Sequence, residues 1–212
     1  MKTAVKSFFI PVLLMFALVI FSACGSNEAS EEPSDNNTTD EVSSTQKDQS
    51  VAVEIPPFEE YVKQIRGGSF IKKAELKNGV VTVEYYGDYE EYKKDKPESN
   101  VSSDQFYSYW GGHQQTQKRL EMNLAKGFTE SLRLARMYPD KIDEIKMVIP
   151  ARGKTYEFEA TRSELEQFFG IDMKTLNEAY KQGDSSLSKY IDPVVYEDEK
   201  RKQFLESFVN EQ

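Results

Sequence analysis

The chain of 212 residues has one cysteine, one histidine and one tryptophan. A single cysteine cannot close an internal disulfide, and it cannot supply a C-x-x-C redox or zinc motif. A single histidine, His113, cannot build a two- or three-histidine metal site. No serine stands in a G-x-S-x-G context, so nothing in the sequence pairs His113 with a nucleophile. There is no Walker A pattern, no dinucleotide fingerprint, no EF-hand loop and no zinc spacing. No metal and no cofactor are therefore expected. No apolar run reaches 18 residues. The longest, Phe8–Phe21, has 14 and rises only about 21 Å as a helix, short of a ~30 Å hydrocarbon core. Positive charge is scarce as well: 27 Lys and Arg face 36 Asp and Glu, a net charge of −9. That balance argues against a nucleic-acid partner.

What is present at the start of the chain has an order. Lys2 and Lys6 are basic, Phe8–Phe21 is apolar, and Ser22-Ala23 are small. Basic, apolar, then small is the secretory sequence of zones. A short transmembrane anchor is the alternative. The lone cysteine, Cys24, sits where the apolar run gives way to "GSNEAS". "FSAC" followed by "GSN" resembles the lipobox of bacterial lipoproteins, with Phe21 standing where that family prefers Leu, Val or Ile. The resemblance implies cleavage before Cys24, a diacylglycerol on its sulfur, and a lipid-anchored place on the outer face of the bacterial cytoplasmic membrane. A plain signal peptide ending near a cysteine is the other reading. Two or more acyl chains anchor stably where one does not. Loss of Lys2 and Lys6 with a signal at residues 1–23 takes the net charge from −9 to −11.

Residues 24–50 read as the lipidated cysteine and a disordered acidic tether. From 25 to 50, seven acids face one lysine and no aromatic occurs. Such a segment buries too little to offset its ordering entropy. As a flexible coil it spans roughly 25–30 Å. A single α+β domain is expected from 51 to 212.

Phe58, Tyr61, Val62 and Ile65 follow helical spacing, and Gly67-Gly68 stops it. In "FIKKAELKNGVVTVEYY", Asn78-Gly79 predicts a two-residue hairpin turn. Leu76 then faces Val81, and Ala74 faces Val83, with Lys73–Glu84 on the wet side. A second hairpin turns at Arg152-Gly153, setting Ile149 opposite Tyr156, Met147 opposite Phe158 and Ile145 opposite Ala160, with Lys146–Glu159 behind. Between them a long helix over 114–137 carries the stripe Leu120, Leu124, Phe128, Leu132 and Ala135, leaving Glu130 and Arg133 largely off it. The order helix–hairpin, helix–hairpin suggests a degenerate duplication. The two hairpins are expected to form a small antiparallel sheet packed by the long helix. The C-terminal part reads as helical: a Ser163–Glu166 capping box, a helix capped by Asp172, and a last helix starting at Asp192-Pro193. The element order also resembles that of PepSY-type extracytoplasmic modules.

The chemistry-bearing candidates are few. The segment Gly87–Gly112 is long for a connection and rich in aromatics. Tyr89, Tyr92, Tyr107, Tyr109 and Trp110 are candidates for a ligand or partner surface. The competing reading has Ser103 cap an earlier start of the long helix, with Phe106 and Trp110 continuing its apolar stripe. Arg152 and Lys154 at the second hairpin tip could meet an anion or be a polar turn. The functional expectation is a non-catalytic binding or regulatory module with an envelope protein or ligand as partner. The alternative is a cell-envelope hydrolase using two carboxylates about 5–10 Å apart.

Overall fold

The computed structural model describes residues 54–112 and 115–212, within a unit spanning Asp48–Gln212. The expected signal at 1–23, Cys24, the expected tether at 24–50 and His113 lie outside the described residues. A five-stranded mixed sheet and the helices around it make an α+β fold.

The first hairpin follows from its turn. Asn78 and Gly79 take φ of 52° and 80°, the left-handed pair that a type I′ turn requires. Strands β1 (Ile71–Lys77) and β2 (Val80–Tyr85) then pair in the expected register, Leu76 with Val81 and Ala74 with Val83. Arg152 and Gly153 do the same, at 55° and 73°, for β3 (Glu144–Ala151) and β4 (Lys154–Thr161). Ile149 meets Tyr156, Met147 meets Phe158, and Ile145 meets Ala160. The core-facing members of β2, β3 and β4 are all buried. On the open face Lys146 pairs with Glu144 at 2.9 Å and Glu159 at 3.0 Å. Lys73 stands opposite Glu84 as expected, but its ammonium pairs with Glu75 at 2.9 Å, and Lys72, beside the bulge after Ile71, reaches Glu84 at 3.4 Å.

The sheet order is β1-β2-β3-β4-β5, and β2 runs parallel to β3. This corrects the all-antiparallel expectation. A parallel neighbour needs a crossover of a dozen residues or more, and the chain from Tyr86 to Asp143 provides it. It also removes the duplication. On a shared core face, a translated copy of the first hairpin would make the β2–β3 junction antiparallel. A copy rotated in the sheet plane would put β4 beside β2, or β3 beside β1. Neither is observed. The three-residue strand β5 (Val209–Glu211) completes the β4 edge and has no strand-like pattern in the sequence.

The crossover holds four helices. After α1 (Phe58–Tyr61), which is shorter than expected although Phe58, Tyr61, Val62 and Ile65 are all buried, come α2 (Tyr89–Asp95) and α3 (Ser103–Tyr109). The long helix starts at Gln117, capped by Thr116, and divides at Thr129 into α4 (Gln117–Phe128) and α5 (Glu130–Met137). Its five stripe residues are all buried. Two C-terminal details differ from expectation. The capping box on α6 (Arg162–Phe169) is Thr161 with Glu164, because the strand ends there; Glu166 instead accepts from the Met173 N–H at 3.0 Å. Asp172 caps α7 (Met173–Lys181) as expected. Pro193 lies inside α8 (Ser188–Tyr196) rather than opening a helix, since Leu187, Val194 and Val195 are buried and hold the turns on both sides of it. The last helix, α9 (Asp198–Phe208), packs Phe204 and Phe208 against Phe158 of the sheet.

Candidate functional site

The five aromatic candidates divide by burial. α2 is capped by Asp88 and α3 by a Ser102–Gln105 capping box, so Ser102 replaces the expected Ser103 and α3 is separate from the long helix. These two short helices fold their aromatics inward except Tyr107. Tyr92 is 1% exposed and packs on Phe70, Tyr86 and Phe106. Trp110 is 5% exposed and stands edge-on to Tyr85 and Tyr109. Burial takes Tyr92 out of any contact surface, whereas Trp110, though nearly as buried, still lines the cavity at the β3–β4 tip. Tyr89 and Tyr109 are half-buried; the Tyr89 hydroxyl donates to the Val101 carbonyl at 2.9 Å. Tyr107 is 47% exposed.

Tyr107, Phe106 and Trp110 face the β3–β4 tip across a cavity of about 300 Å³. Two features noted separately in the sequence thus come together. The tip's cations are already engaged. Arg152 donates to three backbone carbonyls, of Gly111 at 2.8 Å, Gln115 at 2.6 Å and Thr116 at 3.2 Å, and Lys154 pairs with Glu211. Arg152 therefore ties the turn after α3 to the hairpin, and the groove walls are fixed.

A second cavity, of about 420 Å³, escaped sequence reasoning. Glu130, Arg133 and Arg136 recur every three residues on α5 and so share one side of it. They meet Tyr61 at the end of α1, Arg66 from the turn after it, and Tyr180 from α7. Glu130 was expected on the wet side but is 7% exposed; Arg136 is 3% exposed. The Arg133 Nε lies 3.3 Å from Glu130 Oε1, and the Arg136 guanidinium stacks 4.5 Å from the Tyr180 ring centre and donates to the Ser185 carbonyl. Arg66 sits 5.5 Å over the Tyr109 ring. The available signal was the three-residue spacing alone, which cannot say that α7 closes over that side.

Burial pushes the Glu130 carboxyl above the usual carboxylate range, opposed by Arg133 and Arg66. Burial likewise raises Tyr61, opposed by Arg136. A carboxyl raised on folding holds its proton longer in the native state. Its contribution to stability is full below the unfolded pKa and is lost as pH rises through the folded one. Glu130→Gln should therefore gain on the wild type as pH rises from 4 to 8. Urea midpoints of both proteins across that range check it; a difference that stays flat or shrinks contradicts the assignment.

Among the described residues no group of three His, Cys, Asp or Glu is placed to hold a metal ion, and no helix is long and apolar enough to cross a membrane. In comparisons with protein families, curated proteins and solved structures, nothing matches this chain.

Proposed function

We propose that the chain is a lipid-anchored, extracytoplasmic binding or regulatory module that performs no catalysis. It is held at the outer face of the bacterial cytoplasmic membrane through lipid on Cys24. The basic, apolar and small zones before the one cysteine support the anchor. The observation that carries the binding reading is the groove beside Tyr107. An exposed tyrosine is mounted on a buried aromatic cluster, opposite a hairpin tip that Arg152 holds in place. Aromatic side chains on a rigid base give contact area at low entropic cost. The net charge of −9 favours an envelope protein or small ligand over a nucleic acid.

The hydrolase alternative needs an acid of raised pKa beside a second carboxylate. Glu130 is the acid buried in a cavity, and arginines rather than a second acid line that cavity. The binding reading is preferred on that ground.

Two measurements test the proposal. Intact mass of the protein from its host should show a lipid-sized increment, with detergent-phase partition that Cys24→Ala abolishes; a water-soluble, unmodified chain refutes the anchor. Crosslinking on membranes should return a stoichiometric partner that Tyr107→Ala loses. Recovery of the same partner by the variant would remove the groove from the reading.

A further inference from the structure

The cavity on α5 has an unbalanced charge. Three guanidinium groups, of Arg66, Arg133 and Arg136, line it with one carboxyl, Glu130. In a chain with net charge −9 this is a local excess of positive charge. Its polar atoms are also incompletely satisfied. Of seven buried side-chain nitrogen and oxygen atoms without a partner among the described residues, three are on residues lining this one cavity: Arg66 Nε, Arg136 Nε and Glu130 Oε2. Among the described residues neither Arg66 nor Arg136 forms an ion pair, and only Arg133 faces the Glu130 carboxylate, so the positive charge of the cavity is not neutralised from within. Arg136 is nearly inaccessible and is oriented by Ser185 and Tyr180, so its position is set before anything binds. Arg133 is more open, with 39% of its side chain exposed, and can adjust.

We propose that this cavity binds a phosphate group, with Arg66, Arg133 and Arg136 as its ligands. Guanidinium forks match the tetrahedral oxygens of phosphate and bond them in pairs. Arg133 faces the Glu130 carboxyl, and two guanidinium groups, of Arg66 and Arg136, face no acid in the cavity. A phosphate monoester, carrying about −1.5 to −2 at pH 7, balances them; a single carboxylate leaves one over. The volume of about 420 Å³ leaves room for a substituent on the phosphate. The site uses neither Cys24 nor Tyr107, so its failure and that of the anchored-module reading are separable.

The chain carries its own reporter. Trp110 is its one tryptophan, and Tyr109 lies between Arg66 and the Trp110 ring, 4.8 Å from the latter. The full chain would be titrated with inorganic phosphate, phenyl phosphate and acetate at constant ionic strength. Tryptophan emission and calorimetry would be followed for the wild type, Arg66→Gln, Arg133→Gln and a distant control, Lys146→Gln. Saturable one-to-one binding is expected, weakened about tenfold in Arg66→Gln and in Arg133→Gln, as loss of a charged hydrogen bond implies. The control should bind as the wild type. Circular dichroism verifies that each variant is folded; Arg133→Gln removes a half-exposed side chain and keeps the test available if Arg66→Gln is not. Saturation by inorganic phosphate assigns the free ion, and saturation by phenyl phosphate alone assigns an esterified one. A non-saturating response, equal binding of acetate, or binding that folded Arg133→Gln leaves unchanged overturns the proposal.

Discussion

Phe158→Ala should lower the unfolding free energy by about 3–5 kcal/mol, in the upper range for a single core truncation. Phe158 is 1% exposed on β4 and meets rings from two helices. Phe128 of α4 stacks on it at 5.4 Å, Phe204 of α9 at 5.9 Å, and Phe208 packs at 5.7 Å. The cost depends on whether the gap can close. Phe128 is held by the buried stripe of the long helix, and Phe204 is wedged by Phe168 and Phe169. Neither can move in without breaking its other contacts, so most of the cavity stays. Native domains hold only about 5–15 kcal/mol in total. The variant's melting temperature should fall by roughly 10 °C for a domain of this size. Urea unfolding gives the free energy directly. A loss under about 2 kcal/mol would mean that α9 settles into the space, and that the C-terminal helices are fixed less firmly than their aromatic contacts indicate.

The contrast between the hairpins and their arrangement marks how far the sequence could be read. Within each hairpin the information is local. Asn78-Gly79 and Arg152-Gly153 set the turn, the turn sets the register, and a two-residue period sets the face. Which strands become neighbours is decided by the crossover between them, and that depends on contacts far apart in the chain. Hence the parallel β2–β3 junction was not legible, nor was β5, which is defined by the partner strand rather than by its own three residues. The parallel junction also accounts for the long Gly87–Gly112 segment: it is the first part of the crossover that such a junction requires, and its aromatics are mostly its core. Thr161 and Ser163 show the same limit at smaller scale. Both begin an S/T-x-x-E pattern, and only the end of β4 decides between them.

The candidate sites divide in the same way. Tyr107 was identifiable because an aromatic in a long connection is conspicuous by itself. The arginine cavity was not, because Arg66 is 64 residues from Glu130 in sequence, and charged residues at three-residue spacing usually describe a solvated helix face. Glu130 became buried only because α1, α7 and the turn between α1 and β1 cover that side of α5.

The last prediction concerns Trp110 and the two glycines that admit it. A Cβ on Gly127 would lie 2.7 Å from Trp110 Cζ3 and 2.6 Å from Ile149 Cδ1. A Cβ on Gly67, where φ is +75°, would lie 2.8 Å from Trp110 Cζ2. The ring therefore occupies the space that side chains at 67 and 127 would need. Trp110→Ala empties it and should cost about 3–5 kcal/mol. Gly127→Ala sets two effects against each other. Alanine is favoured over glycine inside a helix by about 1 kcal/mol, whereas overpacking costs about 1–3 kcal/mol. The Ile149 methyl can rotate away; the indole is blocked on its far side by the backbone at Gly67. Overpacking should therefore prevail, and Gly127→Ala alone should destabilise. In the Trp110→Ala background the obstacle is gone and the helix preference remains, so the same substitution should become neutral or stabilising by up to about 1 kcal/mol. The double-mutant cycle should show a coupling of about 1–3 kcal/mol. Additive effects would mean that the indole is not confined between the two glycines.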